Sequence, residues 1–349
     1  MYQAGPDYGD HLVEIYRSNN LLMEDIAATG RGRNTFIVYE SNHVTLRRCW
    51  GRYVINGTNQ GADWLQVYGS SDTLIENCVG TRLPSTILVD AAQYWLASWN
   101  TGYTNNRNRI TGSVALGHDY HGLNIISAGG QLSGNSIDNS VFIGSTTGQG
   151  FGVPFTGIFQ RADNSFNANR VTLVGHQTGV SQSHDTSNPL YNIYSTVRNS
   201  SIVNSSVGLS SSNYAGITVG MEHRFNNFWN VTQRYGGTIS TGANETAINP
   251  VYDTAQYGNG AYLFVPAALK GKGESGVDIG ADLRYLTDGT RMWPWAMEAR
   301  ICAETANLLG GGASVTYEQA TTSYDYDGNG TGESYTCSGG IWRTLNGVY

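Results

Sequence analysis

Phe36 to Cys49 reads FIVYESNHVTLRRC, and the chain carries two relatives of this stretch. VEIYRSNNLLMEDI runs from Val13 to Ile26, and LQVYGSSDTLIENC runs from Leu65 to Cys78. Superposed, the three share an apolar residue (Ile15, Val38, Val67), a Tyr (Tyr16, Tyr39, Tyr68) and a Ser (Ser18, Ser41, Ser70). A small polar pair follows, and then a second apolar run. The offsets of 23 and 29 residues make an imperfect period of strand, polar turn and strand. Such a period marks a solenoid of stacked β-coils.

Composition agrees with an all-β chain. Of 349 residues, 13% are charged, against about 25% in ordinary domains. Gly, Ser, Asn and Thr fill the difference, while 40% hydrophobic residues exclude a disordered chain. The net charge is −7 and Lys occurs only at Lys270 and Lys272. With no basic stripe, nucleic acid is not an expected partner. No apolar run approaches the ~18 residues of a membrane-spanning helix. No signal peptide stands at Met1, so a mature chain or a fragment is expected. Sequons such as Asn56, Asn199 and Asn230 fit a secreted or cell-surface protein, although a chain rich in Asn, Ser and Thr also produces them by chance.

Further along, leading strands are expected at Thr86–Asp90, Gly122–Ile126, Gly157–Arg161, Gly179–Ser183 and Gly216–Gly220. Asn-x-apolar strands follow at Asn108, Asn135, Asn169 and Asn226, giving about eight coils between residues 10 and 240. A sandwich would repeat once per hairpin, whereas this similarity returns once per coil. Equivalent residues then lie one strand spacing apart, about 4.8 Å.

These residues resemble the right-handed parallel β-helix repeat proteins of the pectate-lyase-like superfamily. The resemblance covers residues 10 to about 240 and speaks to fold more than to function. Coils are expected over 1–243, a closing coil and helical cap over 244–309, and a small β tail over 310–349. The cap is placed on Gly258–Pro266, Gly276–Ala281 and a helix after Trp293-Pro-Trp295.

If Val38 and Val67 point inward, one outward row is Tyr16, Tyr39, Tyr68, Asp90, Ile126, Arg161, Ser183, Gly220. Its neighbour is Glu14, Ile37, Gln66, Leu88, Asn124, Phe159, Ser181, Thr218. The resemblance implies a substrate groove on this face. Tyr16, Tyr39, Tyr68, Gln66 and Asn124 are the candidate polysaccharide contacts; a tyrosine ladder covered by a loop is the alternative. Candidate catalytic groups are Asp90, Arg161, Asp119 and His121. A lyase needs a base and a group that stabilises the resulting anion, and the resemblance implies Lys or Arg as base. The coils hold no Lys, and the two-carboxylate pattern of a glycoside hydrolase is not evident. Cleavage and simple binding both stay open.

Asp325, Asp327, Asn329 and Glu333 have the spacing of part of a Ca²⁺ loop, although Thr336 replaces its closing Glu. A Gly/Asn/Asp turn is the alternative. Cys302 and Cys337 are candidates for a disulfide. Cys49 and Cys78 share a coil position, as a bonded pair or as buried free thiols. The competing function is structural: a surface-layer or filament subunit that assembles with its own kind through the coil ends and the tail.

Overall fold

A computed structural model describes residues 11–30, 33–53, 63–82, 92–98, 103–118, 120–127, 132–144, 156–161, 164–183, 193–212, 219–252, 258–283, 315–319 and 333–337. The chain winds as a parallel β-helix, in the right-handed sense that parallel crossovers take. Each coil has three faces. Face 1 holds Val13–Tyr16, Asn34–Tyr39, Asp63–Tyr68, Ala92–Ser98, His121–Ser127, Thr156–Arg161, Thr178–Ser183 and the second half of Ser201–Ser211. Face 2 runs from Asn19–Glu24 through Asn42–Arg47 to Val219–Arg224, eight strands in all. Face 3 runs from Ala27–Gly30 through Trp50–Tyr53 to the start of Asn227–Gly237. Eight coils result: 13–30, 34–53, 63–82, 92–118, 121–144, 156–174, 178–203 and 207–229.

The repeated Tyr-x-Ser has a local cause. The Ser41 hydroxyl donates to the Tyr39 carbonyl (2.8 Å) and accepts from the Ser18 N–H (3.0 Å). Ser70 does the same with Tyr68 and Ser41. The serine thus satisfies the backbone where face 1 turns into face 2. The corner between faces 2 and 3 is more regular still. Asp25, Arg48, Asn77, Gly112, Asn139, Arg170, Asn199 and Phe225 all stand there with φ between 44° and 58°, and Asn244 repeats the bend just beyond the last coil. One left-handed residue per coil therefore fixes this bend even where the side chain disfavours it. The residue after it offers an acceptor to the preceding coil. Cys78 Sγ receives the Cys49 N–H, Ser113 Oγ the Cys78 N–H, and Ser140 Oγ the Ser113 N–H.

Inside, like stacks on like. Phe36, Leu65, Tyr94, Leu123, Ile158, Val180 and Leu209 form one buried column of face 1. Each such aliphatic side chain contributes about 1.5–3 kcal/mol through burial. A second pair of columns is complementary in size. On face 1, Trp64 and Gln93 give way to Gly122, Gly157, Gly179 and Gly208. On face 3 opposite, Gly51, Gly80 and Ala115 give way to Phe142, Leu173, Ile202 and Phe228. A Cβ on Gly51 would lie 1.5 Å from the Trp64 indole, and one on Gly208 would lie 2.7 Å from the Phe228 ring. Bulk passes from one wall to the other while the core stays filled. His223 continues the Ile110, Ile137, Ala168, Val197 column as its last member. Its Nδ1 lies 2.8 Å from Glu245, which also accepts from Tyr235 and Asn226, so a polar network closes the core.

Several expectations shift. The fourth strand of face 1 is Ala92–Ser98, not Thr86–Asp90, so Ala97 and Trp95 take the places expected for Asp90 and Leu88. Gly220 belongs to face 2, paired with Tyr194. Asn108 and Asn135 share a corner, but Asn169 pairs with Asp138 and Arg198 at the next corner. The segment expected to cap the end leaves the last coil and runs back over the outer side of face 3. Thr246 exchanges backbone bonds with Asn226 and Phe228, Asn199 Oδ1 receives the Glu274 N–H, Thr172 receives the Ala281 N–H, and Asn139 clamps Asp282 at 2.7 and 2.9 Å. Tyr262, Leu263, Phe264, Ala281 and Leu283 bury the apolar outer row of Val79, Val114 and Val141, together with Ile143 and Val174 on the row beside it. The physical reason is that this row faces outward yet is apolar, so it needs a lateral cover. The helix expected after Trp295 lies outside the described residues. The β tail is an antiparallel pair, Val315–Gln319 with Glu333–Cys337.

Candidate functional site

Face 1 carries the tyrosine ladder on its outer side. Tyr16, Tyr39 and Tyr68 are in register on consecutive coils. Tyr16 and Tyr39 stack at 5.3 Å with 23° between their planes, while Tyr39 and Tyr68 meet edge-on at 5.2 Å. Tyr103 comes over the top, 6.4 Å from Tyr39 and 5.9 Å from Tyr68. Gly69, at φ 57°, lies beneath it, and a Cβ there would meet the Tyr103 ring at 3.0 Å. The Tyr103 hydroxyl donates to Glu40 at 2.6 Å, and Glu40 pairs with Arg17 at 2.7 Å. The Tyr103 and Arg17 bonds hold the Glu40 carboxyl below its ordinary range, and the same Glu40 bond raises the Tyr103 phenol. The covering ring is thus pinned by a charge-assisted hydrogen bond. The ladder is covered only in part: Tyr39 and Tyr68 are half-covered, and Tyr16 stays 44% exposed.

Beside the ladder is a cleft of about 270 Å³ lined by His11, Glu14, Arg33, Ile37, Tyr39, Gln66 and Tyr68. Glu14, Ile37 and Gln66 are the outward row two residues ahead of the tyrosines. The sequence reading placed Tyr39, Tyr68 and Gln66 here and missed His11 and Arg33, which precede the first two strands and repeat nowhere. Gln66 is buried, and its Oε1 accepts from Asn34 Nδ2 at 2.8 Å. The cleft combines an aromatic wall, an amide, a carboxylate, an imidazole and a guanidinium, a lining suited to a polar ligand with an apolar face.

The second candidate group is three coils on. Ala97, Ile126 and Arg161 continue the tyrosine row, so Arg161 is about 14 Å from Tyr68 at 4.8 Å per coil. Arg161 lies 5.9 Å from the Phe159 ring centre, and His121 stacks on that ring at 4.4 Å with Tyr120 at 4.1 Å. His121 is fully buried; burial, and then Arg161, push its pKa well below the imidazole range. A neutral ring with neither nitrogen hydrogen-bonded suits packing better than proton transfer. Asn124 is buried beside Phe159, not presented along an open groove. Among the described residues the outer face offers a cleft at its N-terminal end.

Asp90, Asp119, Asp325, Asp327, Asn329 and Cys302 lie outside the described residues. Glu333 and Cys337 begin and end the strand Glu333–Cys337. Among the described residues no three His, Cys, Asp or Glu side chains gather as a metal site. No helix among them is long and apolar enough to cross a membrane. Cys49 and Cys78 are both buried free thiols.

No family model and no curated protein matches the chain. Among solved structures, that of QnrB1, a plasmid-mediated fluoroquinolone resistance protein, is similar at 8% identity with a TM-score of 0.20. The match covers 66% of this chain and 93% of that one.

Proposed function

We propose that the N-terminal cleft of face 1 binds a polysaccharide, as part of a secreted or cell-surface protein related to the pectate-lyase-like β-helices. The observation that carries this reading is the run of tyrosines on consecutive coils beside Gln66, Glu14, Arg33 and His11. Sugar rings stack on aromatic faces through their C–H sides and use amides and charges for their hydroxyl and carboxyl groups. Among the described residues one carboxylate, Glu14, lines the cleft, where hydrolysis by the two-carboxylate route needs a pair, so binding is favoured over cleavage. Calorimetry of the full chain against a polysaccharide panel tests it. Tyr39→Ala is expected to weaken binding about tenfold, about 1.4 kcal/mol. Tyr194→Ala, on a ring 63% exposed on face 2, is expected to leave it unchanged. Equal losses, or no binding by the parent protein, would defeat the reading.

A second reading, self-assembly through the coil ends, draws support from the first coil, where Tyr16, Leu22 and Ile26 are exposed. On this reading the chain sediments as an oligomer, and Leu22→Glu returns it to monomer. A monomeric parent chain at micromolar concentration rejects it.

A further inference from the structure

Two adjacent rungs of the corner ladder carry cysteine where the following rungs manage with serine. Arg47 pairs with Glu76 and Trp50 with Val79, so Cys49 and Cys78 are in register on neighbouring coils. Both follow a left-handed residue, Arg48 and Asn77 at φ 51° and 53°, so both leave the corner in the same direction. A parallel rung spacing of about 4.8 Å lies inside the Cα range of disulfides. Cys78 Sγ already leans toward the second coil, 3.4 Å from the Cys49 nitrogen. Cys49 Sγ faces the first coil, 3.8 Å from the Met23 carbonyl and 3.5 Å from the Arg47 carbonyl. One side-chain rotation of Cys49 turns its sulfur to Cys78. An acceptor at this corner does not itself require cysteine, since Ser113 and Ser140 serve identically.

We propose that Cys49 and Cys78 form an inter-coil disulfide in an oxidising medium, stapling the second coil to the third. The oxidant is a low-molecular-weight disulfide. The Cys49 thiolate attacks it, forming a mixed disulfide and releasing one thiolate. Cys78 sulfur then attacks the Cys49 sulfur and expels the second; the two cysteine protons pass to the released thiolates. Because both cysteines are buried in the finished coil, closure belongs to folding. The bond closes a loop of one coil and limits the unfolded chain without altering the core.

The full chain refolded in a mixture of oxidised and reduced glutathione tests this. Unreduced peptide mapping is expected to show the Cys49 and Cys78 peptides joined and two hydrogens lighter than their sum. The melting temperature is expected to stand several degrees above that of protein treated with dithiothreitol. Cys49→Ser/Cys78→Ser should melt like the reduced parent and ignore the redox medium, whereas Cys302→Ser/Cys337→Ser should keep the response. Alkylation of both thiols in the unfolded oxidised chain, or pairing of either with Cys302 or Cys337, overturns the proposal. Mapping of the parent protein decides the matter even if a variant fails to fold.

Discussion

Acidification from pH 7 to pH 4 unfolds this protein through its buried histidines. His118 and His176 are two coils apart and meet across Gly144, with Nε2 atoms 2.9 Å apart and rings stacked at 5.0 Å. Cβ atoms on Gly122 and Gly157 would press on these rings at 3.1 and 3.2 Å, so the glycine column also makes room for the pair. Burial lowers His176 from 6.5 to about 3 and drives His121 well below its ordinary value. Both are neutral when folded and take up a proton near pH 6.5 when unfolded. The unfolded chain binds more protons below that pH, so stability rises with pH up to about 6.5 and is lost below it. Each group costs about 1.4 kcal/mol per pH unit over that window. Over the two pH units down to pH 4.5 His176 removes roughly 3 kcal/mol, and His121 adds to that loss, against an ordinary domain stability of about 5–15 kcal/mol. Circular dichroism against pH should show a midpoint above pH 4. His176→Gln should move it lower. A midpoint below pH 3 in the parent protein would contradict the assignment of neutral, buried rings.

Trp64→Ala has the second large effect, a loss of about 3–5 kcal/mol in denaturant unfolding. The indole fills the notch left by Gly51 and Gly80 and packs on Phe36 and Tyr94 at 5.8 and 4.9 Å. Gly51→Val alone should also destabilise, because its Cβ falls inside the indole. Together they should cost less than Trp64→Ala alone, since valine then grows into the vacated space. The coupling changes the sign of the Gly51 substitution, which independent sites never show. Simple additivity of the two losses would mean that the walls are not complementary.

The coil period, the inward valines, the tyrosine row and the position of Arg161 were legible because each repeats at rung spacing. Asp90 was aligned with Tyr68 on the apolar run Ile87-Leu-Val89, whereas Ala97 holds that register. The offset of 29 that relates Val38 to Val67 also relates Val67 to Leu96, and following it would have found Ala92–Ser98. His11 and Arg33 could not be read, since a cleft made at strand entrances has no periodicity. The same holds for the exchange of bulk between Trp64 and Phe142 and for the His118–His176 meeting. Those contacts join different faces or skip a coil, and a one-dimensional repeat records only neighbours on one face. The apolar outer row of face 3 was visible as valines, but its cover comes from residues 261–283, far along the chain.

That returning segment changes how the molecule comes apart. In a bare solenoid each turn knows only the turns beside it, and unravelling can begin anywhere. Here a single strand of chain is tied by hydrogen bonds to Asn139, Thr172, Asn199 and Asn227, one anchor in each of the last four turns. Those turns must therefore open together, as one cooperative block, and the apolar cover over Val79 and Val114 draws the third and fourth turns in with them, while the turns ahead of this cover can peel singly from their own end.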